Sequence, residues 1–310
     1  MDKDIFLASI MHIVNDFSYA PTLYALLYVE NSYVIKRISI DETLENDIKN
    51  LSEEWIKNEI FSEDFKLKNI AFIDENEKIF YGIGNYSSNL TFPQINLPAS
   101  GFFSENDQIY LIGLLVYINR DDDAFWLYQH KYKMTRMNRQ LSLFAIWNNR
   151  DSYETLDKDI FKIDHKFDFV IKDDFLVTKN WKLLQQNFGF ENYARAQAAL
   201  YVDGIAQMGI ISDTTKLSDC SQDFKFAKKL MKLKDSKVLQ LSRDILLDRV
   251  FNHPHYSTMF TKDPSTGNII VSTQKAVNNL LKMLNDSILH SELTGEDYES
   301  SNKSKLNPAT

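Results

Sequence analysis

Cationic side chains with no acidic neighbours mark the segment Ala124–Arg150 as the first candidate for chemistry. The segment contains no aspartate or glutamate, and its cations include Lys131, Lys133, Arg136 and Arg139. Gathered cations in a chain of net charge −8 indicate an anion-binding surface, with nucleic-acid phosphate as the leading ligand. The alternative is a hairpin whose cations pair with acidic loops elsewhere in the chain.

A helix predicted over Ser221–Lys234 carries a second group of cations in one stripe. Its members, spaced i, i+3, i+4 and i+7, are Lys225, Lys228, Lys229 and Lys232. Apolar residues such as Phe226 and Leu230 lie broadly opposite and face a core. Because like charges at this spacing destabilise a helix by about 0.2–0.5 kcal/mol per pair, the stripe is predicted to contact a polyanion. A solvated lysine-rich helix is the alternative.

The segment Gln129-His130-Lys131 admits a catalytic alternative. Its Gln-x-Lys spacing is that of a variant metal-dependent nuclease strand, in which carboxylates such as Asp121–Asp123 hold Mg²⁺ near the lysine. No second acid occurs at the required spacing, and His253-Pro254-His255 favours a capping or loop role over metal binding. A protein with no catalytic residues, cofactor or metal is therefore predicted, and a Mg²⁺-dependent nuclease is the second hypothesis.

The basic segment is predicted to form a strand, a turn and a second strand. At a period of two residues, Phe125, Leu127, Gln129, Lys131 and Lys133 share one side of an extended strand. Met134–Gln140 then turns the chain, and Leu141–Trp147 is the predicted partner strand. One side of this hairpin is expected to pack on a core, while the far end presents cations to solvent.

The remaining pattern predicts an α+β protein with a β-rich N-terminal part, a helical insert and a mainly α-helical C-terminal part. The predicted hairpins are Tyr19–Val29 with Tyr33–Ile40, Ile70–Ile73 with Ile79–Ile83, and Phe167–Ile171 with Phe175–Thr178. The predicted helices include Asp41–Phe61, Trp181–Asn187, Asn192–Met208, Ser242–Phe251 and Thr273–His290. We expect a β-rich domain over 1–178, with an acidic helical segment at 41–61, and a mainly helical domain with a short tail over 179–310.

The net negative charge is concentrated in one part of the chain. Between Asp41 and Asp64 lie nine acidic residues and two lysines, a local net charge of −7. This segment is predicted to be a solvated helix face, or else a docking face for a basic partner. The chain shows no signal peptide and no apolar run long enough to span a bilayer, so a cytoplasmic protein is expected. A homodimer is the default expectation for its assembly.

Three stretches of the chain carry a family resemblance. The C-terminal stretch is Leu280–Gly295 (LLKMLNDSILHSELTG), followed by Tyr298-Glu299-Ser300 and Lys303. The middle stretch joins Phe167–Ile171 to Asp174–Trp181 and Phe188, and the remaining one is Trp126–Arg136 (WLYQHKYKMTR). Together they resemble the KwaB family of the Kiwa system, although Trp181 occupies a position where phenylalanine is more usual in that family.

The resemblance implies a bacterial anti-phage defence protein that acts with a partner. The other product of the two-gene system is KwaA, a small multi-pass membrane protein, which would recruit this chain to the inner face of the membrane. The family is associated with DNA binding and interference with phage DNA functions. No catalytic residues are carried over by the resemblance, so sequence-independent DNA binding is the favoured hypothesis, ahead of a nuclease and of a scaffold that docks the membrane subunit without touching DNA.

Overall fold

The structure is a computed structural model that describes residues 3–14, 19–95, 99–120, 123–131, 136–137, 145–147, 153–155, 160–161, 163–290 and 297–299. The chain divides into two compact units. The first comprises residues 1–70 and 75–188, and the second comprises residues 71–74 and 189–310.

The first unit is built around a β-sheet. Its strands are β1 (Thr22–Val29), β2 (Ser32–Arg37), β3 (Leu67–Asn69), β4 (Phe80–Gly84), β5 (Leu111–Arg120), β6 (Asp123–His130), β7 (Arg136–Met137), β8 (Ala145–Trp147), β9 (Tyr153–Thr155), β10 (Ile160–Phe161), β11 (Phe169–Lys172) and β12 (Phe175–Thr178). Eight of them form one sheet in the order β2-β1-β5-β6-β11-β12-β4-β3, and the pairs β7–β10 and β8–β9 are separate. The sheet is antiparallel except between β3 and β4.

Apolar side chains cover the central strands of this sheet on both faces. The helices of the unit are α1 (Lys3–Val14), α2 (Glu42–Trp55), α3 (Tyr86–Asn89) and α4 (Trp181–Asn187). On one face, α1 packs against β5 and β6 and buries Phe6 and Ile10 beside Leu127. On the other face, Phe92 contacts the rings of Tyr128 and Phe169, with centroids 5.1 and 5.5 Å away. Strand β6 is therefore a core strand with two buried sides.

Local sequence signals predicted two hairpins and one helix start correctly. Strands β1 and β2 pair directly, and their turn uses Glu30 and Asn31 at positive φ. Strands β11 and β12 pair across a turn that places Asp173 at a φ of 53°. Helix α2 begins where Asp41 accepts a hydrogen bond from the backbone N–H of Leu44. These three predictions are confirmed.

Two predicted strand pairings are wrong. Residues Ile70–Phe72 form a 3₁₀ helix, and β4 pairs in parallel with β3 instead of with Ile70–Ile73. Short apolar runs of this kind do not distinguish a strand from a buried helical turn. The described end of the predicted partner strand Leu141–Trp147 is β8, which pairs with β9, while β6 lies between β5 and β11.

The second unit is mostly helical. Its helices are α5 (Phe190–Met208), α6 (Thr215–Ser221), α7 (Phe224–Met231), α8 (Arg243–Asn252), α9 (Pro254–Met259) and α10 (Gln274–Leu284). Two short antiparallel pairs join β13 (Thr261–Lys262) to β14 (Ile269–Ile270) and β15 (Ile288–His290) to β16 (Asp297–Glu299).

The final helix is shorter than the predicted Thr273–His290. Helix α10 ends at Leu284, and Asp286 then takes a φ of 50°, a conformation that interrupts a helix. Residues Ile288–His290 continue as strand β15. The predicted fold class is nevertheless confirmed: a sheet-containing N-terminal part with helices is followed by a mainly helical C-terminal part. No helix in the described ranges has the length and apolar character that crossing a membrane requires.

Candidate nucleic-acid interface

Helix α7 positions the predicted lysine stripe. The Asp223 side chain caps the helix by accepting hydrogen bonds from the backbone N–H groups of Lys225 and Phe226. Gln222 and Asp223 separate α6 from α7, so the helix predicted over Ser221–Lys234 begins only at Phe224, and its last turn is the 3₁₀ segment Lys232–Asp235. The buried side is made by Phe226, Ala227, Leu230 and Met231.

The four stripe lysines share the outward side of α7 and of the 3₁₀ turn that follows it. Lys225 and Lys229 are exposed, and Lys228 and Lys232 are half-buried. In the part of the chain that the structure describes, Lys225, Lys229 and Lys232 form no ion pair. Their charges therefore add to one another, and the surface favours anions.

Aromatic rings beneath the stripe support two of these lysines. The Lys228 ammonium lies 5.1 Å from the centre of the Phe224 ring, and the Lys229 ammonium lies 5.1 Å from that of Phe226. Lys229 Nζ also donates a hydrogen bond to Asn278 Oδ1 on α10, over 2.7 Å. These contacts orient the charged groups while the aliphatic stems cover apolar surface.

The predicted hairpin site is only partly described, and its first lysine is not on the surface. Lys131 is 3% exposed, so the prediction that it faces solvent is wrong. Its Nζ donates to Gln129 Oε1 over 2.7 Å, and its backbone N–H donates to the carbonyl of Ile112 over 2.8 Å. Arg136 begins β7, which pairs with β10, and Lys133 and Arg139 lie outside the described residues.

Gln129 uses its whole side-chain amide inside the fold. Its Nε2 donates to the carbonyls of Asp164 and Lys166 over 2.8 and 2.7 Å. Its Oε1 accepts from the Asp164 backbone N–H and from Lys131 Nζ. The side chain thereby ties the segment 164–166 to β6. The Gln-x-Lys spacing of the catalytic alternative is thus accounted for by structural contacts.

Asp123 stands at the opposite end of β6 from Gln129. Six residues of extended strand separate them by about 20 Å. Asp123 contacts Lys172 Nζ and lies 3.0 Å from His12 Nε2. Burial acts to raise the pKa of Asp123, but the hydrogen bond and charge of Lys172 outweigh it and lower the pKa below its usual value. No group of three or more histidine, cysteine or acidic side chains within the described ranges is arranged to hold a metal ion.

His253 has a capping role, which agrees with the predicted capping or loop role of its segment. Its Nδ1 accepts a hydrogen bond from the backbone N–H of His255 over 3.2 Å, and Pro254 occupies the first turn of α9. This prediction is confirmed.

The sequence reasoning missed the cations of α10. Lys275, Asn278 and Lys282 occur at i, i+3 and i+7, which places them along one side of that helix. The same spacing had identified the α7 stripe, so the signal was present in the sequence. The proximity of the two helices was not, because Lys229 and Asn278 are 49 residues apart.

Fold and site together define an α+β protein whose helical unit carries an exposed lysine-rich surface. A family model described as Kiwa protein KwaB-like matches residues 109–294, which include α7 and α10. The chain belongs to this family, as its sequence resemblance predicted. A curated relative, Kiwa protein KwaB of Escherichia coli O55:H7 (strain RM12579 / EPEC), is 27% identical over 198 residues. The match covers 63% of this chain and 62% of that relative's length. No solved structure matches the chain significantly.

Proposed function

We propose that this protein is the non-catalytic DNA-binding component of an anti-phage defence complex. The observation that carries the proposal is the lysine side of α7, where Lys225, Lys229 and Lys232 have no ion-pair partner among the described residues. Such a surface binds phosphates without reading bases. Membership of the Kiwa family supports the defence role and a membrane partner, KwaA. The protein acts as a cytoplasmic homodimer that KwaA recruits to the membrane.

The basic segment Ala124–Arg150 is proposed to contribute to DNA binding through some of its cations. Lys131 does not contribute, since its ammonium is used inside the fold. Lys133, Arg136 and Arg139 are proposed to contact DNA phosphates. The double variant Arg136→Glu/Arg139→Glu measures the contribution of the segment to DNA affinity. It binds DNA more weakly than the unaltered protein if the segment contacts phosphates.

A mobility-shift titration with duplex DNA, run with and without Mg²⁺, tests the proposed function. The unaltered protein shifts the duplex and leaves it intact under both conditions. The variant Lys225→Gln/Lys229→Gln binds more weakly, and Lys66→Gln/Lys78→Gln, which removes two exposed lysines of the first unit, is the matched control. No shift at any protein concentration contradicts the proposal. Loss of intact duplex only with Mg²⁺ would instead establish the nuclease hypothesis.

The acidic surface of α2 favours a scaffold as the second candidate function. Glu42, Asp47 and Glu54 are exposed on this helix. Replacing the three by Gln, Asn and Gln removes three negative charges and leaves the α7 surface unaltered. If the protein is a scaffold alone, this variant loses co-purification with KwaA, and the unaltered protein shows no DNA binding. Retained DNA binding by the variant separates the two functions.

A further inference from the structure

Helix α10 carries cations of its own beside α7. The helix begins where Thr273 Oγ1 accepts a hydrogen bond from the backbone N–H of Ala276, and it buries an apolar side that includes Val277 and Leu281. On the side away from that core, Lys275 is exposed and Lys282 is half-buried. Seven residues separate these lysines, so the pair spans about 10 Å along the helix axis.

A hydrogen bond joins the two lysine rows. Lys229 Nζ donates to Asn278 Oδ1 over 2.7 Å, and Asn278 lies one turn from Lys275 and one turn from Lys282. The lysines of α7 and α10 therefore form two adjoining rows on one surface of the second unit, which we name the α7–α10 lysine surface. Its members are Lys225, Lys228, Lys229, Lys232, Lys275 and Lys282.

The chemistry of this surface favours a phosphate backbone over exposed bases. Phe226 is 6% exposed beneath Lys229, and Phe224 is half-buried beneath Lys228. Neither ring is open for a base to stack on, and stacking platforms are what single-strand binding sites use. Asp223 borders the surface, and its carboxylate caps α7. A duplex presents one negative charge per about 1.7 Å of its axis, which is the densest array of phosphates that DNA offers.

We propose that Lys275 and Lys282 bind DNA together with the α7 lysines, so that the α7–α10 lysine surface contacts duplex phosphates through two rows of cations. The inference rests on the proposed function. It adds the lysines of α10 as DNA contacts and identifies duplex DNA as the form that is bound. Two adjoining rows of lysines with flexible stems contact more duplex phosphates than one row does, and each added contact strengthens binding. Asn278 on α10 holds the ammonium of Lys229 on α7 by a hydrogen bond and so links the two rows.

The test compares Lys275→Gln/Lys282→Gln with the control Lys66→Gln/Lys78→Gln in fluorescence anisotropy titrations over a range of salt concentrations. Each titration uses a labelled duplex and its separate single strand. For the α10 variant, the slope of log affinity against log salt becomes shallower by about 1.8, and duplex affinity falls roughly tenfold. The control leaves both unchanged, and Lys275→Arg/Lys282→Arg retains affinity because it keeps the charge.

The outcomes separate the inference from the proposed function. An α10 variant that binds like the unaltered protein, while Lys225→Gln/Lys229→Gln binds more weakly, overturns the inference and leaves the proposed function standing. Tighter binding of the single strand than of the duplex overturns the assignment to duplex DNA. Absence of DNA binding by the unaltered protein overturns both. Thermal unfolding of each variant confirms that a loss of affinity comes from the surface and not from unfolding.

Discussion

At the scale of single residues, the pair Gln129 and Lys131 shows how one spacing serves two different purposes. In the sequence, Gln-x-Lys matches a nuclease strand. In the fold, both side chains are 3% exposed, and the amide of Gln129 joins three backbone groups to the ammonium of Lys131. A buried amide with every hydrogen-bonding position occupied stabilises the fold and leaves none for a substrate.

Replacing Gln129 by alanine is expected to destabilise the first unit by about 3 kcal/mol. The change removes four hydrogen bonds and leaves the buried ammonium of Lys131 without its Gln129 acceptor. Urea unfolding measures the loss. Gln94→Ala removes an exposed glutamine of the same unit and should change stability by less than about 0.5 kcal/mol. Equal stability of the two variants would show that the Gln129 network contributes nothing.

Asp107 is expected to make stability fall in acid. The hydrogen bond from Lys36 lowers the pKa of Asp107, burial opposes that effect, and Ser104 donates two further hydrogen bonds to the carboxylate. Because the pKa is lower in the folded state, the contribution is complete above the unfolded value of about 3.9 and is lost as the pH falls through the folded value.

The variant Asp107→Asn tests this pH dependence. Near pH 7 it should unfold more easily than the unaltered protein by about 1 kcal/mol, since water partly screens the ion pair. The difference should shrink as the pH falls below about 4, because the carboxylate of the unfolded chain is protonated first and that of the folded chain only at lower pH. Urea unfolding at a series of pH values measures both, with Asp47→Asn on the exposed side of α2 as the control. A difference that stays constant with pH would contradict the assignment.

At the scale of elements, α7 has a stabilising N-terminal cap but carries like charges on its surface that destabilise the helix. Asp223 caps its first turn, whereas Lys225 and Lys229 place like charges four residues apart. A carboxylate at position 225 would improve the helix, because negative charge near a helix start is favourable and Glu–Lys pairs at this spacing attract. The lysine at this position therefore gives up helix stability, which a role in anion binding explains.

Lys225→Glu is expected to change stability and DNA binding in opposite directions. The helix should gain about 0.5–1 kcal/mol, seen as a higher unfolding midpoint. Duplex affinity should fall, with a salt slope shallower by about 1. The variant Lys225→Gln separates the effects, since it removes the cation without adding a carboxylate and should give the shallower slope with a smaller gain in stability. A joint loss of stability and binding would indicate a distorted helix and argue against a direct contact.

At the scale of the whole molecule, the sequence predicted what depends on neighbouring residues and missed what depends on distant ones. The cap at Asp41, the turn at Asp173 and the stripe on α7 are local patterns, and all three are present in the structure. The burial of Lys131 depends on Gln129 meeting the segment 164–166, 35 residues later in the chain. No period or propensity within a short window contains that information.

Two strand pairings were predicted wrongly for the same reason, because they depend on residues that are distant in the sequence. Strand β6 has β11 as a neighbour instead of the next apolar run, and β4 pairs in parallel with β3. The candidate site was likewise half predicted: α7 was found from its own spacing, but the row on α10 requires the contact between Lys229 and Asn278. Acidic and basic side chains are nevertheless found on different elements. Acids are exposed on α2, and lysines lie together on the α7–α10 lysine surface.

The salt dependence of duplex binding tests most directly the claim that this net-anionic protein holds DNA through α7. The unaltered protein and a variant with Lys225, Lys228, Lys229 and Lys232 all replaced by Gln are titrated with one duplex at several salt concentrations. We predict that the unaltered protein gives a steep negative slope of log affinity against log salt. The slope of the variant should be shallower by about 3.6, because each lysine that neutralises a phosphate accounts for about 0.9. Equal slopes and equal affinities for the two proteins would contradict the account.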